Sequence, residues 1–122
     1  MSHDLFPAAT AEVARHRAEL APEINDAWNA FSKAVFSPGA LDEKTKQLIA
    51  VAVAHTTQCP YCISGHTKLA ARKGASQQEI MEAIWVAAEM RAGGAYAHST
   101  IALDVLDRMG THSHTAPNGS SS

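Results

Sequence analysis

The chain has 122 residues, 46% of them hydrophobic, with 10 Lys and Arg set against 12 Asp and Glu. That length fits one domain with a core, and the near-balanced charge supplies neither a basic stripe for nucleic acid nor an acidic solvating block. Aromatics at 6% leave few stacking platforms, no apolar run approaches the ~20 residues that span a bilayer, and residues 1–7 lack a secretory pattern.

Nothing along the chain reads as a sheet: alanine is abundant, β-branched runs are absent, and Gly and Pro fall at helix boundaries. The fold class expected is therefore all-α, with about six helices in a single domain over residues 1–110. A first helix is predicted over residues 8–20, entered after Pro7, and a second over 22–36. In the second, Ile24, Trp28, Phe31 and Val35 recur at helical spacing as one apolar face. Ser37-Pro38-Gly39 closes it by turn chemistry. Asp42 is the predicted N-cap of a third helix through His55, with Leu48, Ile49, Ala52 and Val53 as its buried stripe. Pro60 suits the first position of a fourth helix, which ends near Lys73-Gly74. Ser76-Gln77-Gln78-Glu79 is a capping box for a fifth helix carrying Ile80, Ile84, Ala87, Ala88 and Met90. Gly93-Gly94 either breaks that helix or admits a close backbone approach, and a sixth helix is expected over 95–109. Trp28 and Trp85 are read as core. The Ser/Thr/His-rich residues 111–122 have nothing to bury and are expected to be a disordered tail.

The chemistry concentrates in Cys59-Pro60-Tyr61-Cys62-Ile63-Ser64-Gly65-His66, which holds both cysteines of the chain. With Pro60 first in the helix, Cys59 becomes its N-cap and Cys62 lies in its first turn, near unpaired N–H groups and the positive end of the dipole. That setting acidifies thiols, and His66, one turn beyond Cys62, can take the proton. A pair so spaced can pass from a sulfenic acid to a disulfide and be reset by an external thiol. Idle, buried thiols are the plain alternative. Zinc is the sharper rival, because His55, Cys59, Cys62 and His66 are all ligand types, yet along one continuous helix they span ~16 Å, too far for one tetrahedral site. Glu43 and Gln47 on the third helix are candidates to orient His66, and His98 is a candidate pocket wall.

The stretch Leu41-Asp42-Glu43-Lys44-Thr45-Lys46-Gln47-Leu48-Ile49-Ala50-Val51-Ala52-Val53-Ala54, followed by Cys59-Pro60-Tyr61-Cys62 and His66, carries a more specific signal. With Ala70, Lys73-Gly74-Ala75, Glu79-Ile80-Met81-Glu82-Ala83 and Met90-Arg91-Ala92-Gly93-Gly94, it resembles the AhpD-like alkylhydroperoxidase members of the carboxymuconolactone decarboxylase family over roughly residues 24–107. The resemblance implies an all-helical, AhpD-like bundle assembling into homo-oligomers, commonly trimers or hexamers. It implies thiol-dependent reduction of alkyl hydroperoxides, with Cys62 attacking, Cys59 resolving and His66 relaying the proton. Two positions depart from it: Gln47 stands where the relay has a glutamate, twelve residues before the first cysteine, and Tyr61 where the best-known members have a second relay histidine.

The function expected is thus a cytoplasmic peroxidase and disulfide oxidoreductase working through a Cys59–Cys62 cycle. Its partners would be a hydroperoxide substrate and a thiol reductant or reductase protein, with no bound cofactor or metal, no nucleic acid and no membrane. The alternatives are a lyase of the decarboxylase type, indifferent to the cysteines, and a non-catalytic redox-sensing module.

Overall fold

The computed structural model describes residues 5–110, which hold five helices and no strand. Helix α1 (Ala11–Leu20) starts at Thr10 rather than at Pro7, because the Thr10 hydroxyl accepts the Val13 N–H at 3.1 Å. Helix α2 (Pro22–Phe36) opens with Pro22 in the first turn. Its end is closed by Lys46, whose ammonium donates to Val35 O at 2.9 Å and Ser37 O at 2.5 Å. Helix α3 (Glu43–Thr57) is capped by Asp42, which accepts the Thr45 N–H at 2.8 Å. Helix α4 (Pro60–Arg72) follows after only two residues. The capping box at Ser76 forms in full: Glu79 accepts the Ser76 N–H at 2.8 Å and Ser76 accepts the Glu79 N–H at 3.0 Å.

That box opens α5 (Gln77–Arg108), and here the structure corrects the sequence reading: α5 is one continuous 32-residue helix, so there are five helices and not six among the described residues. Gly93 and Gly94 do not break it. A glycine costs a helix interior only about 1 kcal/mol relative to alanine, and no proline lies within the run to remove a hydrogen bond. The described residues form two units that divide after Ala87. The first holds α1 to α4 and the opening turns of α5, and the second holds the rest of α5. Residues 111–122, expected as a disordered tail, lie outside the described residues. No described helix is long and apolar enough to cross a membrane.

Within the first unit, α3 packs most extensively on α4, while α2 contacts both α1 and α3. The α3–α4 pair is antiparallel, since Glu43 at the start of α3 meets Lys73 beyond the end of α4 at 2.8 Å. Lys44 reaches Glu79 at 2.9 Å and so ties α3 to the start of α5.

The buried set differs from the predicted stripes. On α3 the inward residues are Gln47, Val51 and Ala54, and Ala70 of α4 is fully buried. Leu48 and Ala52 are half-buried, whereas Ile49 and Val53 are 48% and 52% exposed. Because α3 is apolar on several sides, its periodicity does not choose a face. The close antiparallel approach to α4 does, and it turns Gln47, Val51 and Ala54 inward. The apolar face of α2 is likewise open, with Trp28 61% and Phe31 60% exposed, and Trp85 is exposed rather than core. On α5, Ile80 and Ile84 are half-buried and Ala87 is buried, but Ala88 and Met90 are exposed. The side chains predicted to bury exist at the right spacing. Some of them are covered within the first unit and the others stay open.

Candidate functional site

The site is built where α3 turns into α4. Gln58 adopts a left-handed conformation (φ 61°, ψ 44°) as the C-cap of α3, and both its N–H and that of Cys59 are directed at Ala54 O, the latter at 3.2 Å. This reverses the chain within two residues and delivers Cys59, extended at φ −98° and ψ 107°, as the N-cap of α4. Its sulfur takes the part that a serine or aspartate oxygen usually takes, accepting the Cys62 N–H at 3.2 Å.

The same geometry brings the two sulfurs together. Both thiols are free, and Cys59 Sγ lies 2.6 Å from Cys62 Sγ. The hydrogen bond from the Cys62 thiol, followed by that from its backbone N–H, holds Cys59 below its ordinary pKa of 9.0. Donating that bond pushes Cys62 up, and desolvation and the Cys59 charge add to the rise. The sequence reading acidified both sulfurs. In the structure the pair splits: Cys59 is shifted toward the thiolate and Cys62 away from it, because a second anion beside the first is disfavoured.

His66 stands one turn beyond Cys62 on α4, half-buried, and both line the same groove. Its Nδ1 lies 2.7 Å from Oε1 of buried Gln47. An amide oxygen only accepts, so this contact defines the neutral ring as the tautomer protonated at Nδ1 and leaves Nε2 as the proton acceptor. Phe36, at the end of α2, stacks on the imidazole with ring centroids 5.1 Å apart and planes inclined by 26°. The groove between α2 and α3 has a volume of about 440 Å³ and is walled by Val35, Phe36, Ile49, Ala50, Val53 and Ala54.

Of the other candidates, Glu43 is engaged by Lys73 rather than by His66. The Tyr61 hydroxyl donates to Pro7 O at 2.6 Å and its ring meets Phe6 edge-on, so it pins the N-terminal segment to α4. His98 is exposed in the second unit. His55 turns Nδ1 to Val51 O of its own helix at 2.8 Å, and among the described residues no three His, Cys, Asp or Glu side chains gather as a metal site. Phe36 and Lys46 were not singled out from the sequence. Phe36 falls outside the 24–28–31–35 stripe of its helix and lies thirty residues before His66, so local spacing carries no sign of the contact.

A bundle of this kind, with paired thiols and an imidazole at the start of a helix, belongs to the carboxymuconolactone decarboxylase family, which residues 22–104 match. Among its relatives, protein 4 of the cox locus of Paracoccus denitrificans is 63% identical over 102 residues, 84% of this chain and 88% of that one. A solved carboxymuconolactone decarboxylase family protein from Legionella pneumophila is 33% identical with a TM-score of 0.61, over 80% of this chain and 86% of its own. A family member from Thermotoga maritima, for which a part in antioxidative response has been suggested, is 25% identical with a TM-score of 0.51, over 87% of this chain and 97% of its own.

Proposed function

We propose that this protein is a thiol-dependent peroxidase and disulfide oxidoreductase that reduces hydroperoxides through Cys59 and Cys62. The observation that carries the reading is the 2.6 Å approach of the two sulfurs beside an imidazole held by Gln47. The antioxidative role suggested for the Thermotoga relative points the same way.

In this reading the Cys62 proton passes to His66 Nε2 as the sulfur attacks the terminal peroxide oxygen. An S–O bond forms, the O–O bond breaks, and the departing alkoxide takes the proton from the imidazolium and leaves as an alcohol. Cys59, as the thiolate, then attacks the Cys62 sulfenic acid. An S–S bond forms and hydroxide leaves, protonated to water. The dithiol has lost two electrons and the peroxide has gained them, and an external thiol reductant returns the disulfide to the dithiol. Cys59 is well suited to the second step, because its pKa is held below that of an ordinary thiol.

We read the exposed apolar residues of α2 as the contact surface of a homo-oligomer, since Ile24 and Trp28 at 74% and 61% exposure are costly to leave in water. A cytoplasmic setting, where thiol reductants are maintained, fits the free cysteines.

The deciding experiment counts free thiols before and after one equivalent of an organic hydroperoxide and maps the product by mass. Loss of two thiols to a Cys59–Cys62 bridge, with turnover abolished in both Cys59→Ser and Cys62→Ser, is the expected result. Undiminished turnover in those variants refutes it.

A further inference from the structure

The end of α2 leaves carbonyls that the helix itself cannot pair. Ser37 meets two of them locally, its hydroxyl donating to Lys33 O at 2.7 Å and its N–H to Ala34 O at 3.4 Å. Val35 O and Ser37 O are met from outside, by the Lys46 ammonium of α3 at 2.9 and 2.5 Å. Those two carbonyls flank Phe36, so one side chain pins the backbone on both sides of the residue whose ring lies on His66. Among the described residues the backbone of α2 lies against α1 and α3 but not against α4. The place of the Phe36 ring over α4 therefore depends on how α3 holds the end of α2. Gln47, the next residue of α3, holds the edge of the same imidazole at Nδ1.

We infer that Lys46 is a positioning residue for His66 and acts through Phe36. Consecutive residues of α3 then fix the imidazole, Gln47 directly at its edge and Lys46, by way of Phe36, across its face. The inference rests on the reading above, in which His66 takes the Cys62 proton. A ring held in both senses is ready for that transfer, whereas one free to tilt must first be oriented. Two plainer roles compete with this one. A lysine that merely capped α2 would add stability and leave the imidazole unaffected. Lys46 also lines the groove together with Cys62, so its charge could act on the thiol without Phe36.

The test compares Lys46→Met, Lys46→Arg, Phe36→Leu and the double variant Lys46→Met/Phe36→Leu in the full-length chain. Proton NMR reads the His66 ring signals, assigned by their absence in His66→Gln, and mass spectrometry follows Cys62 alkylation. Neither readout needs peroxide turnover. A phenyl ring stacked on an imidazole shifts its protons upfield. Lys46→Met should move them downfield to their Phe36→Leu position and slow alkylation by roughly 2- to 10-fold. Lys46→Arg, whose fork of N–H groups can reach two carbonyls, should restore both. In the double variant the loss should equal that of Phe36→Leu alone, because once the ring is gone Lys46 has nothing left to place.

Unmoved His66 signals in a folded Lys46→Met protein overturn the inference and leave Lys46 a helix cap. So does a Lys46→Met loss that persists in full in the Phe36→Leu background, which would mean that the ammonium acts on the thiol by charge. Should Lys46→Met not fold, Lys46→Gln takes its place: a partial downfield shift supports the inference and none overturns it. Shifted signals and slowed alkylation in a protein that consumes no hydroperoxide refute the peroxidase reading and support the positioning role.

Discussion

Gln47 Oε1 and His66 Nδ1 lie 2.7 Å apart across the α3–α4 contact, and this one bond sets which nitrogen of the neutral imidazole carries the proton. Gln47 is 5% exposed, so its amide is shielded from competing water. A glutamine here orients the ring without adding charge to it.

Two substitutions separate orientation from charge. Gln47→Leu removes the acceptor and leaves the half-buried ring N–H without its partner, which costs about 0.5–1.5 kcal/mol of stability and slows Cys62 alkylation. Gln47→Glu restores the acceptor and adds a negative charge that favours the imidazolium formed when the thiol proton arrives. The rate of Cys62 alkylation should then exceed that of the wild type at neutral pH. The introduced carboxylate raises the basicity of His66 in the folded protein, and this fixes the sign of the pH effect. The ion pair exists only where both groups are charged, so its stabilisation is present between the carboxylate and histidine pKa values and is lost as pH rises through the higher folded histidine value or falls through the carboxylate's. Urea unfolding of Gln47→Glu at acid and neutral pH checks this, and equal stabilities relative to wild type would contradict it.

The sulfurs make a second prediction, about order. Cys59 is held below its ordinary pKa by the Cys62 thiol and N–H, while Cys62 is pushed above it by donating that bond. Iodoacetamide at neutral pH should therefore label Cys59 first. In Cys59→Ser the neighbouring charge is gone, so Cys62 should ionise at lower pH than in the wild type, which a pH series of alkylation rates resolves. The contribution of Cys59 to stability is full above its unfolded pKa and lost as pH falls through its lowered folded value. That of Cys62 runs the opposite way: its raised folded value makes the contribution full below the unfolded pKa and lost as pH rises through the folded one. Labelling of Cys62 ahead of Cys59 would show the charge to be on the other sulfur.

Phe36 gives the third. Its ring lies over the His66 imidazole at 5.1 Å, and aromatic pairs of this kind are worth about 0.5–1.5 kcal/mol beyond the area they bury. Phe36→Leu keeps an apolar side chain there and loses the stack, so Cys62 alkylation should slow by roughly 2- to 10-fold, with a changed pH profile. Phe36→Tyr should restore both. A Leu variant with the wild-type profile would reduce Phe36 to a wall of the groove.

The parts of this arrangement that depend on neighbours in the chain were legible in the sequence. Asp42, Ser76 with Glu79, and Pro22 mark helix starts through features set within three or four residues, and the structure has each of them. The Cys59–Cys62–His66 spacing is of the same local kind. What spacing does not carry is the choice among faces. Helix α3 offers apolar residues nearly all round, and only its contact with α4 turns Val51 inward and leaves Val53 on the groove. The Phe36–His66 stack joins two helices that no local pattern relates. Gly93-Gly94 misled for a different reason: glycine lowers helix stability without forbidding the helix, and the cooperativity of a long run overrides it.

The turn itself supports the last prediction. Gln58 is the one described non-glycine residue with positive φ, and the left-handed region costs an L-residue about 1–2 kcal/mol. Glycine enters that region freely but gives up more chain entropy on folding, about 0.5–1 kcal/mol. Gln58→Gly should therefore raise stability by a few tenths to about 1 kcal/mol, seen as a rise of several degrees in Tm. Gln58→Val, with a branched Cβ, should lower it. The mutated residue directly precedes Cys59, so the two effects can be read on the site as well. Glycine keeps the N–H bonds to Ala54 O and should leave the order of thiol labelling intact, while valine distorts the reversal and should slow closure of the Cys59–Cys62 bridge. Should both variants melt at the wild-type temperature, the left-handed cap is not what holds α4 in place.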